Sequence, residues 1–215
     1  MAQHLHQNQP ILTSGEELAD ARAAMIMIHG RGGAAANILE LADELGVPGF
    51  VYLAPQAANN IWYPYRFLEP LERNEPYLSS ALQAVDDVVA KVMAAHIPPE
   101  RMILLGFSQG ACVALEFAAR NAKRYGGVAG LSGGLIGPDD TPRHYPGTFT
   151  GTPVFLGCSD VDPHIPKERV HYTAAIFTHM GASVTERLYA NMDHAINLDE
   201  VEFVRRMMKT LINEV

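Results

Sequence analysis

The chain has 215 residues, 48% of them hydrophobic, and a formal net charge of −8 at pH 7. That length and apolar content suit one globular domain with room for a sizeable core. Lys and Arg are scattered rather than gathered into a stripe, which argues against a nucleic-acid backbone or an anionic membrane surface as partner.

The opening MAQHLHQNQP has neither a cationic start nor an apolar run of signal-peptide type. Residues 1–20 are expected to form a peripheral or partly ordered segment of a 1–215 domain, with His4 and His6 in a mobile tail. Short β-like runs then alternate with helical patterns. AAMIMIHG (23–30) precedes a helix pattern at 35–45, and FVYLAPQ (50–56) precedes a long irregular stretch at 54–78. That stretch carries Trp62, Tyr63, Tyr65, Phe67 and Tyr77 among prolines that discourage regular structure. A helix pattern follows at 79–96, then the run RMILLGF (101–107) and a helix pattern at 109–122. GGVAGLSG (126–133), TPVFLGC (152–158) and SVTERLY (183–189) are further strand candidates, with helix patterns at 166–180 and 198–213. The last helix starts with Asn197 followed by Glu200, a capping-box-like pair, and has apolar Val201, Val204, Met208 and Leu211 on one face. Such alternation predicts an α/β fold with a mostly parallel central sheet and helices on both faces. No repeat or linker-like composition marks a second domain or a large cap. No apolar run approaches the ~18 residues of a membrane span.

Gly106-Phe107-Ser108-Gln109-Gly110 sits where the run MILL gives way to the helix pattern QGACVALEFAARNAK. Glycine at the start of a helix costs roughly 1 kcal/mol relative to alanine, so two of them need a reason. A G-x-S-x-G turn between strand and helix supplies one, because it holds a serine in a strained conformation that side chains on its neighbours would obstruct. A serine hydroxyl needs a histidine to take its proton and a carboxylate to orient that histidine. Chain order Ser, acid, His leaves Asp160 and Asp162 after TPVFLG, and His194 after SVTERLY. His171 and His179 fall inside a helical pattern, where a structural role is the simpler reading, while His164 shares the acid's loop. An oxyanion hole needs two N–H donors, one from Gln109 after the serine and one from the loop His29-Gly30-Arg31-Gly32-Gly33, where Arg31 N–H is the candidate and its guanidinium is expected to be incidental. GRGGAA also matches G-x-G-x-x-A after a strand, but a dinucleotide site wants an acidic residue ~20 residues later, where this chain has LAPQ. Cys112 and Cys158 lie in apolar surroundings and read as buried small hydrophobes in a reducing, cytoplasmic setting.

The segments IHGRGG (28–33), LGFSQGA (105–111), GLSGGL (130–135), DPHIP (162–166) and MDHAI (192–196) resemble, in order and spacing, the small carboxylesterase/phospholipase group of α/β-hydrolases that includes the acyl-protein thioesterases. The likeness runs from about Ala23 onward. It implies an α/β-hydrolase fold with Ser108 as nucleophile, His194 as general base, and Asp162 rather than Asp160 as the acid. It also implies oxyanion amides at Arg31 and Gln109, with no metal and no organic cofactor. The thioesterases usually read H-G-x-G-D and G-F-S-x-G-G, whereas this chain has Gly33 and Ala111 at the differing positions. IWYPYRFLEP (61–70) is similar to a bacterial branch of small esterases. The expected activity is hydrolysis of small to medium hydrophobic carboxylic esters through an acyl-enzyme, by a monomer or homodimer. A thioesterase or lysophospholipase is the alternative, and a non-catalytic binding module a remoter one. A dienelactone-hydrolase-like enzyme would carry cysteine in place of Ser108. Trp62, Tyr63 and His164 are the candidate substrate-binding residues; Trp62 and its aromatic neighbours are placed to wall an acyl or aryl pocket, and could equally be core aromatics beneath the long loop.

Overall fold

A computed structural model describes residues 4–213; Met1–Gln3 of the expected N-terminal segment, and Glu214 and Val215, lie outside the described residues. Strand β2 (Ala23–Ile28, AAMIMI) is buried along its whole length. Its pleat sends Ala24, Ile26 and Ile28 into one apolar cluster and Ala23, Met25 and Met27 into another, one on each face of the sheet. A strand covered on both faces must be apolar throughout, so the run shows no polar alternation. Its neighbours β3 (Phe50–Pro55) and β4 (Met102–Phe107) follow the same rule.

Among the described residues seven strands form one sheet in the order β1-β3-β2-β4-β5-β6-β7, completed by β1 (Ile11–Gly15), β5 (Gly127–Leu131), β6 (Pro153–Ser159) and β7 (Ser183–Tyr189). All neighbouring pairs are parallel except β1 with β3. Helices α1 (Ala35–Leu45) and α5 (Leu198–Asn213) cover one face. Helices α2 (Tyr77–Ala94), α3 (Gln109–Arg120) and α4 (Lys167–His179) cover the other. This is the expected α/β-hydrolase architecture. The α5 start is capped reciprocally, Asn197 N–H donating to Glu200 Oε2 at 2.9 Å and Glu200 N–H to Asn197 Oδ1 at 3.0 Å.

The N-terminal segment holds more defined structure than a mobile tail. Ile11–Gly15 forms β1, an antiparallel edge strand running from Ile11 opposite Pro55 to Gly15 opposite Val51. An edge strand with one open side keeps polar residues, so ILTSG carries little apolar signal. His6 is also not in a mobile tail: its ring is 2% exposed, its Nδ1 accepts the Ala58 N–H at 3.0 Å, and its Nε2–H donates to Trp62 O at 3.1 Å. The Leu5 and His6 N–H groups both donate to Ser80 Oγ at 3.0 Å. These partners are far away in sequence, and no local pattern announces them. The irregular stretch keeps its character, broken by short 3-10 turns at Ala58–Asn60 and Leu71–Asn74 before α2 begins at Tyr77.

Candidate active site

Ser108, Asp162 and His194 follow the carboxyl ends of β4, β6 and β7, the edge at which open parallel sheets gather their ligands. Ser108 stands between β4 and α3 at φ 55° and ψ −121°, a conformation an L side chain rarely adopts. A Cβ on Gly106 would lie 2.2 Å from Gly110 O, and one on Gly110 would lie 2.1 Å from Ile28 O. Both glycines are therefore required by close backbone approach, which leaves the strain on the serine alone. The turn is held by Ser108 N–H donating to Leu131 O at 2.9 Å, and by Cys112 N–H donating to Ser108 O at 3.1 Å, which starts α3.

His194 joins the two ends of the group. Its Nε2 lies 2.8 Å from Ser108 Oγ and its Nδ1 2.7 Å from Asp162 Oδ2. With Nδ1–H donating to the carboxylate, Nε2 is left as acceptor for the serine hydroxyl. Asp162 Oδ1 accepts the N–H groups of His164 at 2.8 Å and Ile165 at 3.0 Å. Burial works to raise the Asp162 pKa, but the hydrogen bonds from His194, His164 and Ile165 outweigh it and hold the carboxyl below its usual value. Asp160 is turned elsewhere, its Oδ1 accepting the Asn191 N–H at 2.8 Å.

A cleft of about 510 Å³ opens beside Ser108 and His194, walled by Tyr63, Tyr65, Phe67, Cys112, His164 and Ile165, with Arg31, Arg66 and Glu69 among its polar lining. His164 also meets the His194 ring edge-on at 4.9 Å. Trp62 must be corrected: it is fully buried, its indole N–H donates to His29 O at 2.9 Å, and it does not line the cleft. Its place is beneath the loop, packed between the rings of His6 and His29 at 5.3 and 5.0 Å. Tyr65, Phe67 and Ile165, together with Phe107 5.1 Å from the His194 ring, were not singled out as site residues from sequence. Their only sequence signal is aromatic enrichment of the loop and closeness to Ser108 and Asp162.

The two candidate oxyanion residues carry out a second task. Gln109 Oε1 accepts the Trp62 N–H at 2.9 Å, and its Nε2–H donates to Tyr63 O at 2.8 Å. The Arg31 guanidinium, far from incidental, donates to Tyr63 O at 2.9 Å, Pro64 O at 3.0 Å and Tyr65 O at 2.7 Å. Among the described residues, the backbone N–H groups of Arg31 and Gln109 have no acceptor. Other donors of the glycine loop are taken: Gly32 N–H by Asn60 O, Gly33 N–H by Gly30 O and Ala35 N–H by Gln56 Oε1, which disfavours a pyrophosphate there. His29 orders this loop as a neutral ring, Nδ1–H donating to Gly30 O and Nε2 accepting the Ala57 N–H, and burial pushes its pKa down. Cys112 and Cys158 are free and buried, and burial first of all raises their thiols to about 11 and about 12. Neither is a nucleophile near neutral pH.

A family model described as phospholipase/carboxylesterase matches residues 16–212. The chain is 42% identical to a phospholipase/carboxylesterase from Dyadobacter fermentans of known crystal structure, with a TM-score of 0.91 over 99% of this chain and 100% of that one. Acyl-protein thioesterase 1 of Saccharomyces cerevisiae is 26% identical over 215 residues, covering 90% of this chain and 94% of that protein. For acyl-protein thioesterase 1 of Gibberella zeae the match is 30% identical but spans 57% of this chain and 54% of that protein.

Proposed function

The chain belongs to the phospholipase/carboxylesterase family of serine hydrolases, and on that premise we propose that Ser108, His194 and Asp162 form a catalytic triad that cleaves small to medium hydrophobic carboxylic esters. The observation that carries this reading is the continuous hydrogen-bonded chain from Ser108 Oγ through His194 to a fully buried Asp162 side chain. His194 Nε2 takes the hydroxyl proton as Oγ attacks the ester carbonyl carbon, and Asp162 steadies the imidazolium that results. The carbonyl oxygen becomes an oxyanion, received by the N–H groups of Gln109 and Arg31 at the positive end of α3. Collapse of the tetrahedral species expels the alcohol, which takes its proton from His194. Water, activated by the same histidine, then attacks the acyl-enzyme, releasing the carboxylic acid and restoring Ser108. Tyr63 and His164 are the proposed substrate contacts. The residues act as one domain, and two free buried thiols suit a reducing, cytoplasmic compartment.

Thioester cleavage by the same machinery is the second reading, favoured by the likeness to the yeast acyl-protein thioesterase. A fluorophosphonate probe tests the shared premise: it should label the native protein at Ser108 and leave Ser108→Ala unlabelled. Turnover of paired oxygen and thiol esters of the same acyl chain separates the two readings. An unlabelled, inactive native protein would return the chain to the binding-module reading.

A further inference from the structure

We propose that the Arg31 side chain is a positioning residue for acyl selectivity, locking the aromatic wall of the cleft onto the oxyanion turn so that both move as one rigid unit. The inference rests on the hydrolase reading above and concerns a side chain whose backbone N–H alone serves the chemistry. Three successive carbonyls, of Tyr63, Pro64 and Tyr65, accept from the one guanidinium. Tyr63 O accepts from Gln109 Nε2 as well, so the two proposed oxyanion residues, on separate loops, grip the same peptide group. No strand or helix runs through 61–66, and Pro64 has no N–H to offer, so this wall lacks a ladder of its own. Side-chain donors substitute for it.

Among the described residues no carboxylate pairs with Arg31, so its fork is committed to backbone carbonyls. A planar guanidinium reaches three carbonyls in a row with fixed donor directions; an ammonium on a flexible stem satisfies them only in part. Tyr63 and Tyr65 line the cleft, and the fork, with Gln109 on Tyr63 O and Asn74 Oδ1 accepting the Tyr65 N–H at 2.9 Å, holds the wall they form at its distance from Ser108. Acyl groups that extend along that wall depend on the clamp, whereas an acetyl group confined to the neighbourhood of Ser108 depends on it less.

The test compares native protein, Arg31→Lys and Arg31→Ala on 4-nitrophenyl acetate and octanoate, with kcat and KM resolved separately. Every variant keeps the backbone N–H at position 31. In Arg31→Ala the octanoate-to-acetate ratio of kcat/KM should fall by roughly fivefold or more, a change of the size expected for apolar pocket contacts. A rise in KM for octanoate should carry it, millimolar guanidinium ion should restore part of it, and Arg31→Lys should lie between. A ratio that stays within about twofold of native, or a uniform slowing that guanidinium does not reverse, overturns the proposal. If Arg31→Ala does not fold, Arg31→Lys carries the same comparison. Failure of the hydrolase reading is distinguishable, since it abolishes turnover in the native protein. The clamp is then decided by the emission of Trp62, the chain's one tryptophan, buried next to Tyr63. Acrylamide should quench it more strongly in the variant at unchanged secondary structure, and equal quenching overturns the clamp.

Discussion

Asp162 gives one carboxylate oxygen to His194 at 2.7 Å and the other to two N–H groups of its own loop. The loop that buries the acid thus also aims it, and the acid's neighbour Asp160 is spent on a different turn. Replacement of Asp162 by Asn should leave the wrong His194 tautomer and lower kcat by about 10³- to 10⁴-fold. Asp160→Asn keeps an acceptor for the Asn191 N–H and should change kcat by less than about threefold. Steady-state kinetics on one ester decides between them, and a reversal of the two effects would move the acid to Asp160.

Ser108, the proposed nucleophile, sits on a costly backbone conformation. Ser108→Ala should fold as the native protein does and lose at least about a thousandfold in turnover. Ser108→Gly removes the left-handed strain at φ 55° and should be more stable than Ser108→Ala by about 1 kcal/mol. Urea unfolding of the two inactive proteins measures the difference. Equal midpoints would remove the claim that the elbow stores strain.

The aromatic loop divides into a buried and an open part. Trp62→Ala should cost about 3–5 kcal/mol of stability and slow all esters alike, because the indole fills core space. Tyr65, at 48% exposure and on the cleft wall, should behave oppositely: Tyr65→Ala keeps the melting temperature and shifts preference among acyl chain lengths. Melting curves and a chain-length series on both variants check the division.

Buried Glu200 on one side, and buried His6 and His29 on the other, should pull the pH dependence of stability in opposite directions. Glu200 is fully buried, and burial raises its pKa from 4.5 to about 7. The unfolded chain therefore releases that proton first, so this residue's contribution falls as pH rises from 4.5 toward about 7. Glu200→Gln should accordingly gain on the order of 1–3 kcal/mol over native protein at pH 8, and lose that advantage below pH ~4.5. His6 and His29 have pKa values lowered from 6.5 by burial, so the unfolded chain takes up their protons first and stability falls as pH drops below 6.5. His6→Gln should flatten that acid limb, by at most about 1.4 kcal/mol per pH unit. Chemical denaturation across pH 4 to 8 resolves both limbs, and a Glu200→Gln curve parallel to the native one would refute the first.

What the residues determined by themselves was everything governed by local pattern. Apolar runs separated by helical periods dictate a parallel sheet covered on both faces, and the pair Asn197 and Glu200 sets the start of α5 to the residue. The setting of Ser108 between strand and helix announced the elbow, because tight backbone approach admits only glycine at 106 and 110. Tertiary structure alone decided what depends on partners far apart in the chain. Asp160 and Asp162 are equivalent in spacing, and only the fold shows which carboxylate meets His194. Trp62 and Tyr63 are adjacent in sequence and both almost fully buried, yet only Tyr63 reaches the lining of the cleft. His6 reached the core and Arg31 reached three carbonyls for the same reason. A hydrogen bond made onto a loop far away in the chain leaves no periodic mark in sequence, since its donor and acceptor are fixed by packing rather than by neighbouring residues.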